Sequence, residues 1–107
     1  MKTISELDMI LANRKAARAT ENYIDENGEH PFNCGFAWVV VKGIRGKKAE
    51  LLKEFGFKKR YDGPGLSLWN PSGNYTQDMS AKMAGAEVYA EFLNTLGIPA
   101  TAQCRLD

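Results

Sequence analysis

The chain has 107 residues, room for one domain with one core. Its 44% hydrophobic and 25% charged residues are those of an average globular chain and argue against disorder. A net charge of +1, from 14 Lys/Arg and 13 Asp/Glu, argues against an acidic nucleic-acid mimic. It argues equally against a protein that holds duplex DNA mainly by counterion release, unless charge is segregated on one face.

The first predicted element is a long helix over residues 3–27. Thr3 and Glu6 have capping-box spacing, and Ile4, Leu7, Ile10 and Leu11 follow as an apolar stripe. An alanine-rich basic stretch, residues 13–19, narrows that stripe; Tyr23 and Ile24 restore it, and Asn27-Gly28 stops the helix. With roughly 22 residues in regular helix, about 33 Å, it is long for so small a domain, so part of it is expected to pack on a second copy or a partner. This makes a homodimer an expectation.

Residues 36–41, Phe-Ala-Trp-Val-Val-Val, read as a central strand. Residues 47–55 form a short helix stopped by Gly56. Residues 57–61 and 66–69 are strands flanking the turn Asp62-Gly63-Pro64-Gly65, and Asn70-Pro71-Ser72-Gly73 suits a type I turn. Asp78 or Ser80 caps a helix to Leu96 that is expected to bury Met79, Met83, Ala86, Val88, Ala90, Phe92 and Leu93. Gly97 ends it, and residues 100–105 make a last strand. The fold class is α+β: a long N-terminal helix, then β-α-β-β-α-β, the order of a ferredoxin-like antiparallel sheet with helices on one face.

Little in the chain points to catalysis. His30 is the only histidine and no Cys-x-x-Cys pair occurs, so no metal or other cofactor is expected. Cys34 lies four residues from His30, but a strand-edge cysteine beside a loop histidine explains the pair without chemistry. Asp62 and Asp78 read as turn and cap residues. The protein is expected not to be an enzyme.

Three places could bind. Residues 42–48 join a strand to a helix and carry Lys42, Arg45, Lys47 and Lys48, where backbone N–H groups and a helix N-terminus can hold an anion; the alternative is a solvated connection. Trp69, Asn70, Ser72, Asn74, Tyr75 and Gln77 concentrate stacking and hydrogen-bonding side chains on one loop, yet are also ordinary turn formers. Arg105 could reach a ligand or pair with a carboxylate. In addition, alternation puts Phe36, Trp38 and Val40 on one side of the first strand. The preferred reading packs them under the long first helix. The other turns them outward, where Trp38 with Trp69 or Leu68 would make a stacking platform, although the RNP1 pattern is missing.

The N-terminus is polar and acidic too early for a secretory leader, and the longest apolar run, residues 36–41, is too short to span a bilayer. The expected setting is the cytoplasm, with two reduced cysteines and no membrane association.

From about residue 34 onward the chain resembles a family of small proteins of tailed bacteriophages. The resemblance rests on Cys34-Gly35-Phe36-Ala37-Trp38-Val39, Leu68-Trp69-Asn70-Pro71-Ser72-Gly73, Lys82-Met83-Ala84-Gly85-Ala86 with Phe92, and Arg105-Leu106-Asp107. The family usually has Gly-Ser before the last tripeptide, where this chain has Gln103-Cys104. These motifs name no reaction and carry over no catalytic residue, and residues 3–27 fall outside them. What the resemblance implies is a setting, the host cytoplasm, and a class: a non-enzymatic protein that binds and inhibits or sequesters a host component. Counter-defence fits that class, with a CRISPR effector or a nucleotide immune signal as target, so the partner would be a host protein or a small nucleotide. Three alternatives stand beside it: a single-stranded nucleic-acid binder, a small enzyme of unrecognised type and a phage structural or assembly accessory.

Overall fold

The computed structural model describes residues 4–30, 32–60 and 62–107. Over these the order is α1 (Glu6–Asn27), β1 (Gly35–Val41), α2 (Gly46–Glu54), β2 (Lys58–Lys59), β3 (Leu66–Trp69), α3 (Met79–Thr95) and β4 (Ala100–Leu106). The strands form one antiparallel sheet in the order β2-β3-β1-β4. The fold is therefore α+β, with a long N-terminal helix and a four-stranded antiparallel sheet.

Helix α1 starts at Ser5, whose Oγ accepts from the Asp8 N–H at 3.3 Å while Asp8 accepts from the Ser5 N–H at 2.9 Å. The reciprocal box thus sits two residues beyond the expected Thr3–Glu6 pair; Thr3 lies outside the described residues. Gly28 ends the helix at φ +74°, where a side chain would be strained.

The buried line of α1 is Met9, Ala12, Ala16 and Thr20, whereas Leu7 is 76% exposed, Ile10 41% and Leu11 43%. This corrects the expected stripe, of which Ile4 alone is buried. The reason lies on α3, against which α1 packs. A Cβ added at Gly85 would stand 2.5 Å from Thr20 Oγ1 and 2.9 Å from the Ala16 carbonyl oxygen, so only small side chains fit the crossing. Thr20 Oγ1 closes it by donating to the Ala81 carbonyl at 2.7 Å.

Helix α3 is capped by Asp78, one of the two caps expected, rather than by Ser80. Its buried set is Ala81, Lys82, Gly85, Ala86, Tyr89, Ala90 and Leu93, while Met79, Met83, Val88 and Phe92 are only partly covered. Lys82 is tolerated because its Nζ donates to the Gly35 carbonyl at 2.9 Å. Tyr89 is fully buried beside Phe57, and its hydroxyl has no hydrogen-bond partner among the described residues. Burial pushes the phenol well above its usual range.

The core decides which face of the sheet is covered. Ala37, Val39, Val41 and Leu66 belong to one cluster with Leu52 of α2 and Tyr89 and Leu93 of α3, and Leu68, Ala100 and Ala102 pack against it. Phe36, Trp38, Val40, Trp69, Gln103 and Arg105, on the other face by alternation, do not belong to it. Among the described residues no helix crosses that second face. The expectation that Phe36, Trp38 and Val40 lie beneath the first helix is overturned, because α1 packs on α3 instead. Strand β2 is also shorter than expected, two residues rather than five; Tyr61 lies outside the described residues.

Candidate binding face on the open side of the sheet

The antiparallel register sets Trp38 beside Trp69 on β3 and beside Gln103 on β4. The two indoles stack with centroids 4.9 Å apart and planes inclined at 29°. Phe36 meets Trp69 edge-on, centroids 5.8 Å apart at 78°, the two arrangements that aromatic quadrupoles favour. Trp38 Nε1 donates to Gln103 Oε1 at 3.1 Å, which fixes the inner ring. Trp69 remains 51% exposed and forms the outer surface of the stack.

Cations ring this platform. Lys58 is opposite Ser67, and Arg105 is opposite Phe36, its guanidinium 5.9 Å from the ring centroid. Arg60 is held by Asp62 (Nε to Oδ1, 3.5 Å) and by the Pro64 carbonyl, to which it donates at 3.3 Å. Together these groups line a groove of about 200 Å³. That is below the ~300–1,000 Å³ of pockets that engulf a small molecule, so the feature is a shallow platform able to take one ring system from above. Its charged lining is Lys58, Lys59, Arg60 and Arg105 against Asp62 alone. A nearly neutral chain has thus segregated positive charge here.

Of the residues singled out in the sequence, Trp38, Trp69 and Arg105 come together on this face, the two tryptophans as the outward reading of the first strand has it. Asn70, Ser72 and Asn74 do not face it, because they hold their own loop. Asn70, at φ +47°, donates from Nδ2 to the Asn74 carbonyl at 2.8 Å, and Ser72 Oγ donates to Asn70 Oδ1 at 3.2 Å. The Thr76 N–H donates to Asn74 Oδ1 at 2.8 Å. Tyr75 is 97% exposed, and Gln77 uses its carbonyl to accept from the Gly35 N–H at 3.2 Å. Arg45, Lys47 and Lys48 lie beyond the far end of β1. Val41 pairs with Leu66, three residues past the Trp38–Trp69 pair, a separation of about 10 Å before that loop begins. The two expected binding loops therefore sit at opposite ends of the sheet. Lys58, Arg60 and Gln103 were not singled out, and only the cross-strand register brings them to the tryptophans.

His30 and Cys34 belong to a structural anchor. Asp78, 1% exposed, accepts from the His30 N–H at 2.9 Å, Asn33 Nδ2 at 2.8 Å, and the Ser80 and Ala81 N–H groups at 2.9 and 3.4 Å. Burial pushes its carboxyl up, but the donors from His30, Asn33, Ala81 and Ser80 outweigh it and hold the pKa below the usual value. Among the described residues no group of three or more His, Cys, Asp or Glu side chains is placed to hold a metal ion, and no helix is long and apolar enough to cross a membrane.

No protein-family model, curated protein or solved structure matches this chain.

Proposed function

We propose that the protein is a non-enzymatic binding module whose open sheet face takes single-stranded nucleic acid. The observation that carries this reading is the stacked Trp38–Trp69 pair on an uncovered face, flanked by Lys58, Arg60 and Arg105. Every base has a π-face, and stacking one on an exposed aromatic contributes about 1–3 kcal/mol. The flanking cations meet the phosphates on either side. A duplex hides its base faces and would find no use for Trp69. The sheet order β2-β3-β1-β4 supports a ferredoxin-like arrangement for residues after α1; over the whole chain the order departs from that pattern by its leading helix.

The groove volume, suited to one ring, favours a second reading in which a small nucleotide occupies the same platform. The resemblance to bacteriophage proteins supplies a setting for either ligand: occupancy of a host component in the bacterial cytoplasm, in counter-defence.

Titration of tryptophan fluorescence with short oligonucleotides tests the proposal. Binding is expected to quench the signal, and Trp69→Ala to weaken affinity at least tenfold. With three phosphates met, log Kobs should fall against log salt with a slope of about −2. Quenching by mononucleotide as strong as by oligomer selects the second reading. An affinity unchanged in Trp69→Ala overturns both.

A further inference from the structure

The two edges of the sheet are protected very differently. The β2 edge is two residues long, and both are exposed lysines, two of the usual devices against unwanted strand pairing. The β4 edge runs for seven residues, Ala-Thr-Ala-Gln-Cys-Arg-Leu, with no proline and no lysine. Among the described residues no strand pairs its outer side.

One point on that edge is already occupied, by a side chain that imitates a strand. Asn94 accepts from the Ala100 N–H at 2.9 Å and donates to the Ala100 carbonyl at 3.0 Å. Outward-pointing backbone groups recur every second residue in an antiparallel edge, so the next are those of Ala102, Cys104 and Leu106. Their side chains fall on the helix-covered face, opposite Val39, Ala37 and Gly35.

On that face a groove runs between β4 and one row of α3. Met79, Met83 and Glu87 follow at i+4 spacing, continued by Glu91. The stretch bounded by Cys104 on one side and by Tyr23 of α1 on the other, with Ala84 and Val88 of α3 also lining it, has a volume of about 470 Å³. Its floor is low because the β4 residues facing it are small. The wall is apolar at the Leu106 end and acidic at the Ala100 end.

We propose that the outer edge of β4 and this half-apolar, half-acidic groove dock an extended basic segment of another protein as a fifth strand. Backbone pairing at Ala102, Cys104 and Leu106 supplies affinity, and alternate side chains entering the groove supply selectivity. Apolar side chains go against the methionines and lysines or arginines against Glu87 and Glu91. A second copy is the poorer occupant. Its own β4 would offer small neutral side chains to the acidic stretch and would bring a second Glu87–Glu91 pair to the same seam.

The test uses the whole chain and two labelled peptides, Val-Thr-Val-Thr-Lys-Thr-Lys and its charge-reversed form Val-Thr-Val-Thr-Glu-Thr-Glu, with binding read by fluorescence anisotropy. The basic peptide is expected to bind at least tenfold more tightly. Amide exchange at Ala102, Cys104 and Leu106 should slow at least tenfold on its binding. The double variant Glu87→Lys with Glu91→Lys should reverse the preference, while Trp69→Ala should leave it unchanged. Equal affinity for the two peptides, or no binding of either, overturns the proposal. Protection of those three amides without peptide, together with a doubled mass, overturns it in favour of a second copy.

Discussion

On β1 the two faces of the sheet invert the usual division of residues. The helix-covered side carries Ala37, Val39 and Val41, and the uncovered side carries Phe36, Trp38 and Val40. Small side chains suit the covered side because α3 lies close against it. On the uncovered side Val40 is 2% exposed, although among the described residues no helix lies above it, and Trp38 lies between Trp69 and Gln103. The two faces differ in what packing accounts for. Burial on the covered side is explained by packing alone, whereas half of Trp69 remains exposed after all local packing is satisfied. A large aromatic surface left over in this way is the informative observation.

Substitutions should affect the two faces differently. The largest effect is expected at the covered side's tightest point. Gly85→Ala would ordinarily gain up to about 1 kcal/mol in a helix. Here the new methyl collides with Thr20 and Ala16, and a loss of about 1–3 kcal/mol is expected from urea denaturation. A gain in stability would mean that α1 does not pack on α3 as described. Asp78→Ala comes next, at about 1–2 kcal/mol for the lost cap.

That loss depends on pH. A carboxyl whose folded pKa is depressed contributes its full stability above the unfolded value, near 3.8, and loses it as pH falls through the folded value. The wild-type and Asp78→Ala denaturation midpoints should therefore differ at pH 7 and converge in strong acid. On the open face Trp69→Ala should cost stability about 1–2 kcal/mol, for the lost contacts with Trp38 and Phe36, while removing most of the binding. The smallest effect has the opposite sign. Tyr89→Phe removes a buried hydroxyl that has no partner among the described residues and should raise stability by up to about 1 kcal/mol.

Local rules made much of this legible from sequence. The Asp78 cap, the Gly28 stop and the period-two alternation that groups Phe36, Trp38 and Val40 each depend on residues close in the chain. What escaped depends on residues far apart. Leu7, Ile10 and Leu11 look like a core stripe by composition, and only Gly85, on another helix, makes the small residues of α1 the buried ones. The candidate site was half legible for the same reason. Trp69 and Arg105 could be nominated as ring and charge, but Lys58 and Gln103 reach the tryptophans only through strand register. The Asn70–Asn74 loop misled because polar side chains that bind a ligand and those that bind their own turn look alike in sequence.

The Asp78 carboxylate also ties two stretches of chain into one opening unit. It starts α3 and, through His30 and Asn33, pins the connection between α1 and β1. Protonating that group weakens both attachments at once, leaving Asn33 its bonds with the Met79 N–H and Ser80 Oγ, so the connection and the first turn of α3 should gain sensitivity to an acid-tolerant protease together, as one cooperative event.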